Sequence, residues 1–119
     1  MNTTMVAGKF FVIGLPDTQR YSESFPDIVN AQTQWIVDNR EALDIKFVSH
    51  YGDVVQHGTG PLAPGEYANA RVAMSILETA DVPHGVVSGN HDVLESGSVG
   101  QTYDSTNYLQ NFGPQYKLR

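Results

Sequence analysis

His84-Gly85-Val86-Val87-Ser88-Gly89-Asn90-His91-Asp92 runs from a short apolar stretch directly into an amide, an imidazole and a carboxylate. A buried strand that ends this way carries three polar side chains to the edge of a core. Each buried donor or acceptor there needs a partner, and a charge needs a counter-ion or a metal. The stretch is therefore read as a third strand, about residues 84–88, followed by chemistry. The structural alternative is a polar turn in which Asn90 and Asp92 satisfy backbone groups.

Two earlier stretches follow the same plan. Lys9-Phe10-Phe11-Val12-Ile13-Gly14-Leu15 is continuous, apolar and rich in aromatic and β-branched residues, the pattern of a strand buried on both faces. Pro16 cannot donate to a ladder, so the strand ends there and delivers Asp17-Thr18-Gln19 to the sheet edge. Ile45-Lys46-Phe47-Val48-Ser49-His50 is the second strand, and Gly52-Asp53 follows it.

Helices fall between the strands. Ile28, Ala31, Gln32, Trp35 and Ile36 lie near one face of a helix from Pro26 to about Ala42, with Trp35 expected as a packing anchor under the sheet. Pro26 suits the first helical turn, and Asp27 complements the positive end of the macrodipole. A second helix spans about Gly65 to Thr79, with Tyr67, Ala70, Met74 and Leu77 on one stripe. Residues 20–26 and 54–64 read as loops. After Asp92 the chain is loop-rich, Gly- and Ser-rich over 95–101, with a short helix expected near Thr106–Asn111 and stopped by Gly113-Pro114. Alternation of strand and helix implies an α/β fold built on a βαβαβ unit with parallel strands, so all three polar strand ends share one sheet edge.

Composition narrows the chemistry. The 119 residues suit one domain with one core. The core is expected over about 9–92 and a tail over 93–119. Acidic residues outnumber basic ones, 13 to 7, and no basic cluster occurs, so nucleic acid is not an expected partner by long-range attraction. With no cysteine there is no disulfide framework, thiolate metal site or Cys nucleophile. The first nine residues show neither a basic n-region nor a long apolar h-region, and no run approaches membrane-spanning length, so no membrane partner is expected. The compartment stays open.

Ligands of open α/β sheets bind outside the carboxyl ends of the strands, which gathers Asp17, Gln19, Asp53, Asn90, His91 and Asp92. The ordered set Asp-x-Gln, Gly-Asp and Gly-Asn-His-Asp resembles the calcineurin-like metallophosphoesterases, whose usual pattern is Asp-x-His, Gly-Asp and Gly-Asn-His-Asp or Glu. Tyr108-Leu109-Gln110-Asn111-Phe112-Gly113-Pro114 is similar to the segment after the third motif in many members. The resemblance implies a four-layer α/β/β/α sandwich, of which this chain is the N-terminal half, and two divalent ions (Mn, Fe, Zn or Mg). By it, Asp17 and Gln19 hold the first metal, Asp53 bridges both, and Asn90 holds the second. His91 stands near the leaving-group oxygen of a phosphomonoester or phosphodiester, and Asp92 orients it. A shared carboxylate can hold two cations about 4 Å apart, and that pair can clamp a phosphoryl group. An imidazole with a pKa near 6.5 is a sensible proton donor.

The chain departs from the family pattern at Gln19, where most members have His. The family's further His and Gly-His-x-His ligands come from a second half of its fold, outside these residues. The expectation is thus a truncated domain with weak metal binding and little turnover alone. Among the remaining histidines, His84 is assigned a structural or solvent role, while His50 and His57 are held as minor ligand candidates. A non-catalytic alternative is a domain that self-associates as a homo-oligomer through its uncovered sheet face. A metal-free nucleotide-binding domain is disfavoured because no Gly-rich phosphate loop is present.

Overall fold

A computed structural model of the protein describes residues 8–95 and 102–116. The readings for residues 1–7 and for most of the 95–101 stretch fall outside them. The order is β1 (Phe11–Leu15), α1 (Gln19–Ser24), α2 (Pro26–Leu43), β2 (Ile45–His50), α3 (Ala63–Thr79), β3 (His84–Val86), α4 (Asn90–Val93) and α5 (Thr106–Phe112). The three strands form one parallel sheet in the order β1-β2-β3. The chain is therefore mixed α/β, with strands and long helices alternating as their apolar periods require.

α2 begins with Pro26 in its first turn and Asp27 beside it, as the sequence implies. It ends at Asp44, which adopts a left-handed conformation (φ 50°) and donates its N–H to the carbonyls of Arg40 and Glu41. α2 and α3 pack against one another, and α2 also packs on β2. One apolar cluster results, with Ile36, Val48, Val55, Leu77 and Val82 at its centre.

Four expectations are corrected here. β1 is not buried on both faces. It is an edge strand with β2 as its neighbour, and Phe11 and Val12 are 45% and 56% exposed. Residues 20–26 are not all loop, because α1 occupies 19–24; Ser22 is buried there and its Oγ donates to the Val54 carbonyl at 2.7 Å. Trp35 does not anchor the sheet but is 38% exposed beside an open apolar groove lined also by Ile13, Leu15, Ile28 and Ile36. The core does not stop at residue 92. Tyr108 and Phe112, one helical turn apart on α5, are both buried, and the Phe112 ring lies 6.4 Å from that of Tyr67.

His84 has the structural role expected of it. Its Nδ1 donates to the Val82 carbonyl at 2.7 Å and its Nε2 pairs with the Tyr116 hydroxyl at 2.6 Å.

Candidate functional site

The loops leaving β2 and β3 meet face to face. Gly52 (φ 98°) and Asp53 (φ 52°) adopt successive left-handed conformations, the first ordinary for glycine and the second tolerated by Asp at a sharp turn. A side chain on Gly52 would put its Cβ 2.6 Å from the Gly89 nitrogen, so only glycine admits this approach. Gly89 in turn lies directly against the Asp53 carboxylate with no room for a side chain. Asp53 Oδ1 then accepts the His91 N–H at 2.9 Å. The Gly-Asp and Gly-Asn-His-Asp stretches, read separately in the sequence, are thus one structure.

Asp92 is the fastener of that structure. It is fully buried; Oδ1 accepts the Val55 N–H at 3.0 Å and Oδ2 accepts the Gly89 N–H at 2.8 Å. Burial pushes its carboxyl above the usual carboxylate range, opposed by those backbone donors. The Tyr67 hydroxyl donates to the Asp92 carbonyl at 2.7 Å, and burial pushes that phenol up as well.

This corrects the expectation that Asp92 orients His91. Both Asp92 oxygens serve backbone donors. The His91 ring is held by the Gln56 carbonyl, which accepts from Nδ1 at 3.1 Å. A carbonyl can only accept, so Nδ1 carries the proton and Nε2 is the ring position left for proton exchange.

His50, held in the sequence as a minor ligand candidate, is excluded by its bonds. The Gly52 N–H donates to Nδ1 at 3.1 Å, so the ring proton is on Nε2 and donates to Thr18 Oγ1 at 2.9 Å. Burial lowers its pKa to about 4, against the opposing pull of the Asp17 and Asp53 carboxylates. β1 and β2 end side by side, with Leu15 paired to His50, so the residues after both strands share one neighbourhood.

Gln19, on the first turn of α1, reaches across to the β2 loop, where its Nε2 donates to Gln56 Oε1 at 3.1 Å. Its Oε1 is buried and has no hydrogen-bond partner among the described residues. An orphaned amide oxygen is costly unless something outside the chain takes its lone pairs. Asp17 and Asn90 are exposed, and Asp53 and His91 are half-buried. These oxygens suit a hard or borderline divalent ion.

No family model matches the chain. The chain is similar to YvnB of Bacillus subtilis (strain 168), an uncharacterized protein, at 43% identity over 111 residues. The match covers 88% of this chain and 8% of that protein, so the chain spans about one-twelfth of the relative's length. No helix among the described residues is long and apolar enough to cross a membrane.

Sequence reasoning missed a second polar cluster next to this loop. Glu66 in the first turn of α3 is buried; its Oε1 accepts the N–H groups of Gln56 and His57 at 2.8 and 3.0 Å, and its Oε2 pairs with His57 Nδ1 at 2.8 Å. Its position four residues before Ala70, on the apolar stripe of α3, is the signal that an acid points inward there. Nothing local in the sequence links it to His57.

Proposed function

We propose that the chain is part of a dinuclear metallophosphoesterase, the N-terminal half of an α/β/β/α sandwich, acting on phosphomonoesters or phosphodiesters. The observation that carries this reading is the fused Asp53–Gly89–His91 junction, in which the β2 and β3 loops bring a carboxylate, an amide and an imidazole to one sheet edge. The orphaned Gln19 Oε1 supports it as an unused oxygen on a side chain that reaches Gln56, the residue whose carbonyl holds His91. Asp17, Gln19, Asp53 and Asn90 would hold the ions. Two divalent ions bound there supply charge stabilisation for the phosphoryl group and an activated water.

The chain's own residues do the rest. The His91 N–H fixes Asp53 Oδ1, so the carboxylate is aimed before any ligand arrives. The Gln56 carbonyl fixes the His91 tautomer, so a protonated ring offers Nε2–H to a leaving oxygen. Asp92 holds both loops in register without touching the reacting atoms.

Calorimetry with Mn²⁺ and hydrolysis of p-nitrophenyl phosphate and its diester test the reading on the chain and on Asp53→Ala. The expected result is Mn²⁺ binding, with weak turnover, that Asp53→Ala abolishes. Turnover indifferent to that substitution overturns it.

A second reading, self-association without catalysis through an uncovered part of the sheet, is favoured by β1, whose outer edge no strand among the described residues pairs. Phe10, Phe11 and Val12 are exposed beside the groove that carries Ile28 and Trp35, and exposed apolar edges invite pairing with a second copy. Sedimentation decides it, since a clean monomer at tens of micromolar rejects it.

A further inference from the structure

We propose that Glu23, His57 and Glu66 form a separate cation site, with Zn²⁺ the best-matched ion. The three come from the end of α1, the loop after β2 and the first turn of α3, and one ligand atom from each lies within 4.8 Å of the others. An imidazole nitrogen with two carboxylate oxygens is a borderline donor set of the kind Zn²⁺ takes, with three protein ligands and one open position. Donors bound at about 2.0–2.2 Å around a tetrahedral ion stand roughly 3.3 Å apart. His57 Nδ1 lies 2.8 Å from Glu66 Oε2 and 3.5 Å from Glu23 Oε2, bracketing that spacing.

The carboxylates are oriented for this by their other oxygens. Glu66 Oε1 is taken by the Gln56 and His57 N–H groups, and Glu23 Oε1 by Arg20 at 3.0 Å. Each acid therefore uses one oxygen to hold its position and turns the other toward the same nitrogen, the arrangement of ligands fixed by outer-shell bonds.

A proton on His57 accounts for this less well. Nδ1–H can bond Glu66 Oε2 at 2.8 Å, but at 3.5 Å Glu23 Oε2 gains little hydrogen bonding and is held close to a second carboxylate. A dication at the shared point neutralises both acids. The His57 side chain is 32% exposed, which leaves the fourth position open to water or a ligand. The bound ion ties α1 and α3 to the loop whose Gln56 carbonyl holds His91, so it stiffens the neighbouring site without belonging to it.

Zn²⁺ titration against a chromophoric chelator, with Co²⁺ absorption as a readout of ligand type, tests this on the Asp17→Asn/Asp53→Asn double variant. That background removes both carboxylates proposed for the phosphoesterase centre and leaves only the neutral Gln19 and Asn90 there, so the two sites fail separately. The expected result is one retained equivalent of Zn²⁺ and a Co²⁺ spectrum with a nitrogen ligand. Adding His57→Ala should weaken binding by about 100-fold or more, and adding Glu23→Gln by about 10-fold or more. Among the described residues Glu23 pairs with the side chains of Arg20 and His57 and not with the loop backbone, so its variant is expected to keep the fold even where His57→Ala loosens it. Loss of all Zn²⁺ binding in the double variant, or binding indifferent to both added substitutions, overturns the proposal and leaves a hydrogen bond between His57 and Glu66 only.

Discussion

The two flanks of the sheet are held by opposite means. At the carboxyl ends of β2 and β3, residues 52–58 and 88–92 are locked by backbone N–H groups that donate to the buried side chains of Asp92, Glu66 and His50. Along β1 and the outer face of α2 the surface is apolar and open, with Val12 and Trp35 exposed. Buried polar networks are directional and lose much when one member goes, whereas exposed apolar side chains contribute little until something covers them. Rigidity is thus concentrated where ligands would be oriented, and adhesiveness where a partner surface would be met.

The strongest test of that contrast is Asp92→Ala. It leaves the buried Val55 N–H and the half-buried Gly89 N–H without an acceptor. The expected loss is about 4 kcal/mol in urea unfolding, since each orphaned donor costs about 1–3 kcal/mol. A loss under about 1 kcal/mol would mean the loops are not joined through this carboxylate.

Acid probes the same flank at His50. Its folded pKa of about 4 lies below the ordinary 6.5. Below pH 6.5 the unfolded chain takes up a proton that the folded chain refuses, so stability present above that pH is lost progressively as pH falls toward 4. The full effect is roughly 3 kcal/mol for a group this buried. Urea midpoints across the window should fall in the protein and fall less in His50→Gln; parallel slopes would reject a buried neutral imidazole.

Gly52→Ala should cost about 2 kcal/mol, combining left-handed backbone strain with a Cβ pressed against Gly89. Thermal unfolding measures it. On the open flank, Trp35→Ser should change stability by about 0.5 kcal/mol or less, yet lower any self-association seen in sedimentation. A large stability loss there would erase the contrast between the flanks.

Much of the architecture was legible in the residues. The runs read at 9–15, 45–50 and 84–88 became the parallel strands Phe11–Leu15, Ile45–His50 and His84–Val86 in chain order, Pro26 marks the start of α2, and α3 starts at Ala63, two residues before the expected Gly65. β1 misled because its run of Phe, Val and Ile has the composition of a central strand while its partners leave it at an edge. α1 was hidden because six residues, QRYSES, carry no apolar period. At the candidate site, Gly-Asp and Gly-Asn-His-Asp were read onto one sheet edge, and the structure joins Asp53 to the His91 N–H there; the holding of the His91 ring, expected of Asp92, falls to the Gln56 carbonyl, to which sequence reasoning assigned no role. A backbone carbonyl has no residue type to notice, and a carboxylate next to a histidine in sequence points elsewhere once both sit on one turn of α4.

Local pattern alone therefore determined the three strands, the helices α2, α3 and α5, their order, and that three polar strand ends face one edge, because hydrophobic period and Pro or Gly breaks act within a few residues. Only the tertiary structure decided that Asp92 clamps Val55 and Gly89, that Gln56 holds His91, and that His57 meets Glu23 and Glu66. Those partners are separated by as many as 37 residues, and which atoms meet over that distance depends on strand pairing and side-chain direction, which no short stretch encodes.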